Sequence, residues 1–192
     1  MKILSGNKKT KTAVFISGKG SNLKNLIKFS KLKNSPIKIE LVISNNKYAK
    51  GLKHASQNKI KKKIFNFNNI YNGEKKSLKI LLKKKIKLIC LAGFMKILSK
   101  NFTKRFKGKI INIHPSLLPK FKGLYTHRRV IKNKEKYTGC TVHYVNSKLD
   151  SGNIILQKKI MIKKNDNEES LKKRVLIEEH KLYPEAIRTV FK

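Results

Sequence analysis

The chain has 192 residues, with 48 Lys and Arg against 10 Asp and Glu and a formal net charge of +38. That length is one domain with a substantial core, and no apolar run approaches a membrane span. The charge invites a nucleic-acid partner. However, the basic residues are overwhelmingly Lys, with Arg only at 105, 128, 129, 174 and 188, dispersed among many Asn and Ile. Phosphate and base recognition favours Arg geometry, so the pattern points to compositional drift filling solvated positions with Lys. No specific nucleic-acid partner is expected.

Met1–Lys11 is a basic arm without the apolar stretch of a signal peptide. The chain is therefore expected to be cytoplasmic, with an arm at 1–11 and one catalytic domain at 12–192. Thr12–Ser17 is a short apolar run with β-branched residues, the composition of a buried parallel strand. It leads into Gly18-Lys19-Gly20-Ser21-Asn22 and a helical stretch, Leu23–Phe29. Strand, Gly-rich turn and helix in that order aim free N–H groups and the helix dipole at the turn, which makes an anion site. Ser21 or Asn22 is expected to cap the helix. Leu23 stands where the third Gly of a dinucleotide fingerprint belongs, and the next strand, Ile37–Ser44, runs into Asn45-Asn46 rather than an acid. A monophosphate fits this turn better than a dinucleotide.

Ala49–Asn58 reads as a helix, Lys62–Phe67 as a strand and Asn66–Gly73 as a polar loop. Glu74–Lys85 reads as a helix with Leu78, Leu81 and Leu82 on one face. Leu88–Ala92 is a fourth strand holding Cys90 in an apolar run; Cys90 and Cys140 are both expected to be reduced and packed. The strand opens into Gly93-Phe94-Met95-Lys96-Ile97-Leu98, whose apolar side chains either line a flat pocket or join the core. After a short helix, Asn101–Phe106, Lys109–His114 is a strand that Pro115 terminates. Asn112 and His114 are two apart and so share one face. They set a carboxamide donor beside an imidazole at the strand end where open α/β sheets bind ligands.

Beyond Pro119 come a loop, a helix at Arg128–Asn133 and a strand at Gly139–Val145. His143 in that strand and His54 in its helix read as structural. Asn146–Gly152 is a turn-rich loop carrying Asp150, conspicuous in a chain with 10 acids. Asn153–Ile162 is the last strand. Ser170–Val190 is a long helix with Ser170 as its cap and Pro184 forcing a kink or break. The alternation predicts an α/β fold: a doubly wound, mainly parallel sheet flanked by helices.

Seven segments together resemble the folate-dependent formyltransferase family, and within it the glycinamide ribonucleotide formyltransferases of purine synthesis. They are Ile-Ser-Gly-x-Gly-Ser-Asn at 16–22, Leu-Ala-Gly-Phe-Met at 91–95, Asn-Ile-His-Pro-Ser-Leu-Leu-Pro at 112–119, Thr-His-Arg at 126–128, Gly-Cys-Thr-Val-His at 139–143, Leu-Asp-x-Gly at 149–152 and Glu-His-x-x-Tyr-Pro at 179–184. Each is modest alone; their common order makes the match specific. The resemblance runs from Ala13 to about Pro184 and implies a Rossmann-like formyltransferase fold. It further implies transfer of the formyl group of 10-formyltetrahydrofolate to the amine of phosphoribosyl glycinamide.

On that resemblance Gly20, Ser21 and Asn22 hold the substrate phosphate and Glu179 lies at its amine end. Asn112, His114 and Asp150 form the catalytic group: an oxyanion donor, a proton carrier and an acid that orients the imidazole. The folate site comprises Met95, Lys96, Ile97, Leu98, Asn112, Thr141, Asn146, Ser147, Lys148, Leu149 and Asp150. No metal is expected, since the five His show no ligand-type spacing. The expected partners are the two small substrates and no membrane, with the chain a monomer or homodimer. Departures from the family pattern are the lack of Arg between Phe65 and Glu74, Leu176 in place of a frequent Gln, and an end at Lys192. Methionyl-tRNA formyltransferase and formyltetrahydrofolate hydrolase share the His-Pro-Ser-Leu-Leu-Pro segment. Each carries an added domain for which 192 residues are expected to leave no room. A basic nucleic-acid-binding module would need the clustered Arg and interleaved aromatics that this chain lacks.

Overall fold

The alternating apolar runs form a single seven-stranded sheet in a computed structural model that describes residues 9–192. Residues 1–8 of the expected basic arm lie outside the described part, while Thr10 and Lys11 already belong to the first strand. The strands are β1 (Thr10–Ile16), β2 (Ile37–Ser44), β3 (Lys61–Ile64), β4 (Leu88–Leu91), β5 (Lys109–His114), β6 (Tyr137–Tyr144) and β7 (Ile154–Met161). They lie in the order β3-β2-β1-β4-β5-β6-β7. All pairings from β3 across to β5 are parallel, and β6 pairs antiparallel with both β5 and β7. The order reverses at β1, between β2 and β4, and that crevice is the usual ligand site of such sheets.

Alternation along β1 sends side chains to two cores. Val14 and Ile16 join α1 (Ser21–Lys31), α2 (Leu52–Gln57) and α6 (Glu168–Val190) on one face. Ala13 and Phe15 join α3 (Ile70–Lys83) and α4 (Lys100–Arg105) on the other. Phe15 and Ile16 are fully buried, each contributing about 1.5–3 kcal/mol by removal from water. Cys90 and Cys140 are buried free thiols, both pushed up to about 12 by burial. No helix among the described residues is long and apolar enough to cross a membrane.

Several helix ends differ from the sequence expectation: α2 starts at Leu52 rather than Ala49, and α5 (Thr126–Lys132) starts two residues before Arg128. Neither Ser21 nor Asn22 caps α1; its N-cap is Gly20, in the left-handed region at φ 74, with no side-chain cap bond. Asn69 caps α3, starting it at Ile70, and Glu74 is therefore buried inside the helix rather than in its first turn. Asn167, not Ser170, caps α6: its side chain accepts from the Ser170 N–H while the Ser170 hydroxyl accepts from the Asn167 N–H, a capping box. The helix also runs unbroken through Pro184. Proline at 184 has no N–H for the carbonyl of His180, but Asn25 Nδ2 on α1 donates to that carbonyl at 2.6 Å. The lost helical bond is replaced by a tertiary one.

Candidate active site

β1 ends in a turn whose geometry suits an anion: a Gly-rich bend running into a helix N-terminus. The Lys24 N–H donates to the Gly20 carbonyl at 2.9 Å, so the N–H groups of Ser21, Asn22 and Leu23 precede the first helical bond and are free to face a ligand. The first turn of α1 carries no acid to compete for them. Gly20 is required twice over: its φ is positive, and a Cβ there would lie 2.6 Å from the Gly51 Cα. The Gly51 N–H donates to the Gly18 carbonyl at 3.0 Å, fixing the turn against the start of α2.

Beside this turn Asn22 Nδ2 donates to Glu179 Oε2 at 2.7 Å, joining α1 to α6. Glu179 is 7% exposed. Burial pushes its carboxyl up to about 7, against a smaller opposing effect from the Asn22 bond. Asn22 Oδ1 is buried without a protein partner among the described residues. The turn and Glu179, distant in sequence, are thus joined by one buried polar contact.

The second group stands at the end of β5. Ile111 and Ile113 face the α1/α6 core while Ile110 faces the α3/α4 core, so Asn112 and His114 continue the Ile110 side. His114 Nδ1 lies 3.3 Å from Asp150 Oδ2, with side chains 6% and 8% exposed. His114 Nε2 lies 2.8 Å from the Phe121 carbonyl. Both neighbours are acceptors, so each ring nitrogen faces one. Asp150 has φ 44, a region Asp tolerates better than bulkier residues. Its Oδ2 also accepts from the Gly123 N–H at 2.8 Å, so it ties the 120s loop to the same cluster.

His143 belongs to this cluster, contrary to its sequence reading as structural. The antiparallel register pairs it with Asn112, and Asn112 Nδ2 approaches His143 Nε2 at 3.2 Å. His143 Nδ1 lies 2.8 Å from the Tyr144 carbonyl. With Nδ1 as donor, Nε2 accepts from Asn112. Burial holds the His143 imidazole below the usual histidine range, a shift only partly opposed by the Tyr144 carbonyl and Asp150. The second Asn112 Nδ2 hydrogen faces Asp150 Oδ1 at 3.5 Å, at the limit for a hydrogen bond and easily exchanged. The signal for His143 was its place two residues beyond Thr141, but only the register shows which residue it faces. His54 stays outside the cluster, half-buried in α2.

A groove opens beside Asn112 and Asp150, lined further by Phe94, Lys96, Ile97, Leu98, Lys148 and Leu149. Asn146 also lines it. Met95 projects outward, 58% exposed, and Leu98 is only 2% exposed, so the 93–98 segment supplies both groove and core. Ser147 is exposed on the neighbouring loop. Thr141 does not reach the groove. It is fully buried, donates to the Ser116 carbonyl at 2.7 Å and accepts from the Leu118 N–H at 3.1 Å, holding the loop after β5. In the loop between β6 and β7 a Cβ on Gly152 would lie 1.7 Å from the Tyr144 carbonyl oxygen, so only glycine lets the chain turn back after Asp150. A second depression, among Leu82, Lys85, Ile86, Lys87, Phe106 and Lys107, offers only apolar and Lys side chains. Among the described residues no group of three His, Cys, Asp or Glu is placed to hold a metal ion.

The formyl transferase family model matches residues 10–187. The phosphoribosylglycinamide formyltransferase of Haemophilus influenzae is 43% identical over 181 residues, 93% of this chain and 85% of that protein. The human trifunctional purine biosynthetic protein adenosine-3 is 41% identical over 186 residues. That match takes in 95% of this chain, which spans only 18% of the human protein. The crystal structure of phosphoribosylglycinamide formyltransferase from Anaplasma phagocytophilum superposes with a TM-score of 0.88 at 41% identity, over 94% of this chain and 85% of that one.

Proposed function

The chain belongs to the formyl transferase family, and from that membership we propose that it transfers the formyl group of 10-formyltetrahydrofolate to the amine of 5-phosphoribosyl glycinamide. The products are formylglycinamide ribonucleotide and tetrahydrofolate, in purine synthesis. The observation that carries this reading is the Asn112–His114–Asp150 cluster with a groove beside it; the Gly-rich turn at the end of β1, on the same parallel side of the sheet, supports it. The reading is of a cytoplasmic enzyme, monomer or homodimer, acting on two small molecules.

In this reading the phosphate sits on the N–H groups of Gly20, Ser21 and Asn22, with the glycinamide end toward Glu179. The folate lies in the groove lined by Lys96, Ile97, Leu98, Asn146, Lys148, Leu149 and Asp150, and the exposed Met95 and Ser147 of the same segments join it there. Attack of the amine nitrogen on the formyl carbon forms a C–N bond and moves the carbonyl electron pair onto oxygen. The Asn112 Nδ2 hydrogen now facing Asp150 turns to that oxyanion. Because the other hydrogen stays on His143, the carboxamide keeps its orientation. The attacking nitrogen loses a proton and the folate N10 gains one as its bond to carbon breaks. His114 is the group placed to carry that proton once its Nε2 exchanges the Phe121 carbonyl for substrate. Asp150 keeps Nδ1 as the donor side, and so directs Nε2 at the reaction.

Formyl transfer by the purified protein, with 10-formyltetrahydrofolate and three acceptors, tests the reading. Phosphoribosyl glycinamide should be formylated, glycinamide lacking the phosphate should react little, and methionyl-tRNA should not react. Ser21→Glu should raise the KM for the ribonucleotide through like-charge repulsion and leave the KM for formylfolate nearly unchanged. Preference for methionyl-tRNA, or hydrolysis of formylfolate without an acceptor, would overturn the assignment.

A further inference from the structure

Ser17, the last residue before the anion-binding turn, uses every polar atom it has, and it spends them on neighbouring strand ends. Its N–H donates to the Gly93 carbonyl at 3.0 Å, and its carbonyl accepts from Asn46 Nδ2 at 3.2 Å. Its hydroxyl donates to Asn45 Oδ1 at 2.5 Å and accepts from the Met95 N–H at 2.7 Å. The ends of β1, β2 and β4 thus meet on one side chain. The segment it holds needs holding: Gly93 has φ 72, Met95 is 58% exposed and Ile97 is 55% exposed. Apolar packing secures this stretch through Phe94, edge-on to Phe15 and Phe67, and through buried Leu98, but not at Met95 or Ile97; its far end is tied by Glu74, whose carboxylate accepts from the Ser99 N–H and hydroxyl, both at 2.6 Å. Ser17 is the corresponding tie at the near end.

We propose that the Ser17 hydroxyl, oriented by Asn45, is a positioning residue that sets the Met95–Leu98 segment for the folate. It touches neither substrate. The inference rests on the formyl-transfer reading above for what occupies the groove, but the tie itself is independent of the chemistry. Replacing serine with alanine removes two hydrogen bonds to the hydroxyl while leaving both backbone bonds of Ser17 in place. The phosphate turn should therefore keep its geometry while the 93–98 segment loosens.

The experiment compares wild type, Ser17→Ala, Ser17→Thr and Asn45→Ala, by steady-state kinetics and by fluorescence titration with tetrahydrofolate. Ser17→Ala should raise the KM for formylfolate and the Kd for tetrahydrofolate by about five- to tenfold, the worth of one or two modest hydrogen bonds. Turnover and the KM for the ribonucleotide should stay within about twofold of wild type. Ser17→Thr, which keeps a hydroxyl, should restore folate affinity, and Asn45→Ala should reproduce part of the loss. A protein weakened only in its fold would lose turnover and both substrates together. Unchanged folate affinity in Ser17→Ala, a loss shared equally with the ribonucleotide, or no rescue by threonine overturns the proposal. If Ser17→Ala does not fold, the same split in Asn45→Ala decides. Failure of the wild type to transfer formyl would instead overturn the functional reading, and tetrahydrofolate binding would still measure the role of Ser17.

Discussion

Asn112 has one partner that keeps it in place, His143 at 3.2 Å, and one it can release, Asp150 at 3.5 Å. As the proposed oxyanion donor, its removal should lower turnover on the order of 100- to 1,000-fold. His114→Ala should cost a comparable or larger factor. Because the two act in one step, the double variant should lose far less than the product of the two losses; a multiplicative loss in kcat would mean they act in separate steps. Glu179 gives a pH prediction that does not need the reaction. Its folded carboxyl is raised from 4.5 to about 7, so the folded state binds more protons than the unfolded chain across that window. Stability contributed by the neutral carboxyl is present below about pH 4.5 and is lost as pH rises toward 7, by at most about 3 kcal/mol. Glu179→Gln should remove that slope; denaturant melts of both proteins at pH 5 and 7.5 that show parallel changes would contradict it.

The kink expected at Pro184 illustrates what an element owes to its neighbours. The His180 carbonyl is satisfied from another helix, by Asn25 Nδ2 at 2.6 Å, so the long helix stays continuous. Asn25→Ala should therefore destabilise the protein by about 1 kcal/mol. The cost should shrink in a Pro184→Ala background, where the residue 184 N–H returns to that carbonyl; equal costs in both backgrounds, measured by urea denaturation, would refute the replacement. Elements whose signals are local were legible in the sequence: the bounds of Ile37–Ser44 match β2, and Pro115 ends β5 where its missing N–H requires. That Asn112 and His114 share a face was legible from their two-residue spacing, whereas the closeness of Asp150, which the structure shows, followed in the sequence only from the family resemblance. The place of His143 was not, because it depends on the antiparallel register of β6 against β5, which no local pattern encodes. The Asn22–Glu179 pair was implied only as two separate substrate contacts, and the buried bond between them spans 157 positions.

Charge belongs to the whole molecule. The Lys residues are dispersed, as compositional drift would leave them, but the acids are not: between Lys47 and Lys134 the single acid is Glu74. Glu74 is 5% exposed and bonded to Ser99. The exposed Lys75, Lys76 and Lys79 of α3 and Lys100, Lys104 and Arg105 of α4 therefore crowd the α3/α4 face, where the acid at its edge, Glu40, is already paired with Lys38 and shared with Lys84. On α6, by contrast, Lys173 and Arg174 meet Glu169 and Asp166, and Lys181 meets Glu178. At about 0.01 M salt charges interact over about 30 Å, and at 0.1 M over about 10 Å. Like-charge repulsion across one side of the fold should thus weaken the protein most at low salt. The melting temperature should rise with sodium chloride between about 0.01 and 0.3 M by an electrostatic mechanism. Lys76→Glu with Lys79→Glu should raise it at low salt and flatten the rise, whereas Lys172→Glu with Lys181→Glu on α6, which sets acids beside Glu168 and Glu178, should not. DNA and RNA of any sequence should bind weakly and be released steeply by salt, with the α3 pair lowering affinity more than the α6 pair. A melting temperature indifferent to salt would show that charge repulsion does not limit stability, and equal effects of the two charge-reversed pairs would show that only net charge matters and that the Lys-rich α3/α4 face has no consequence of its own.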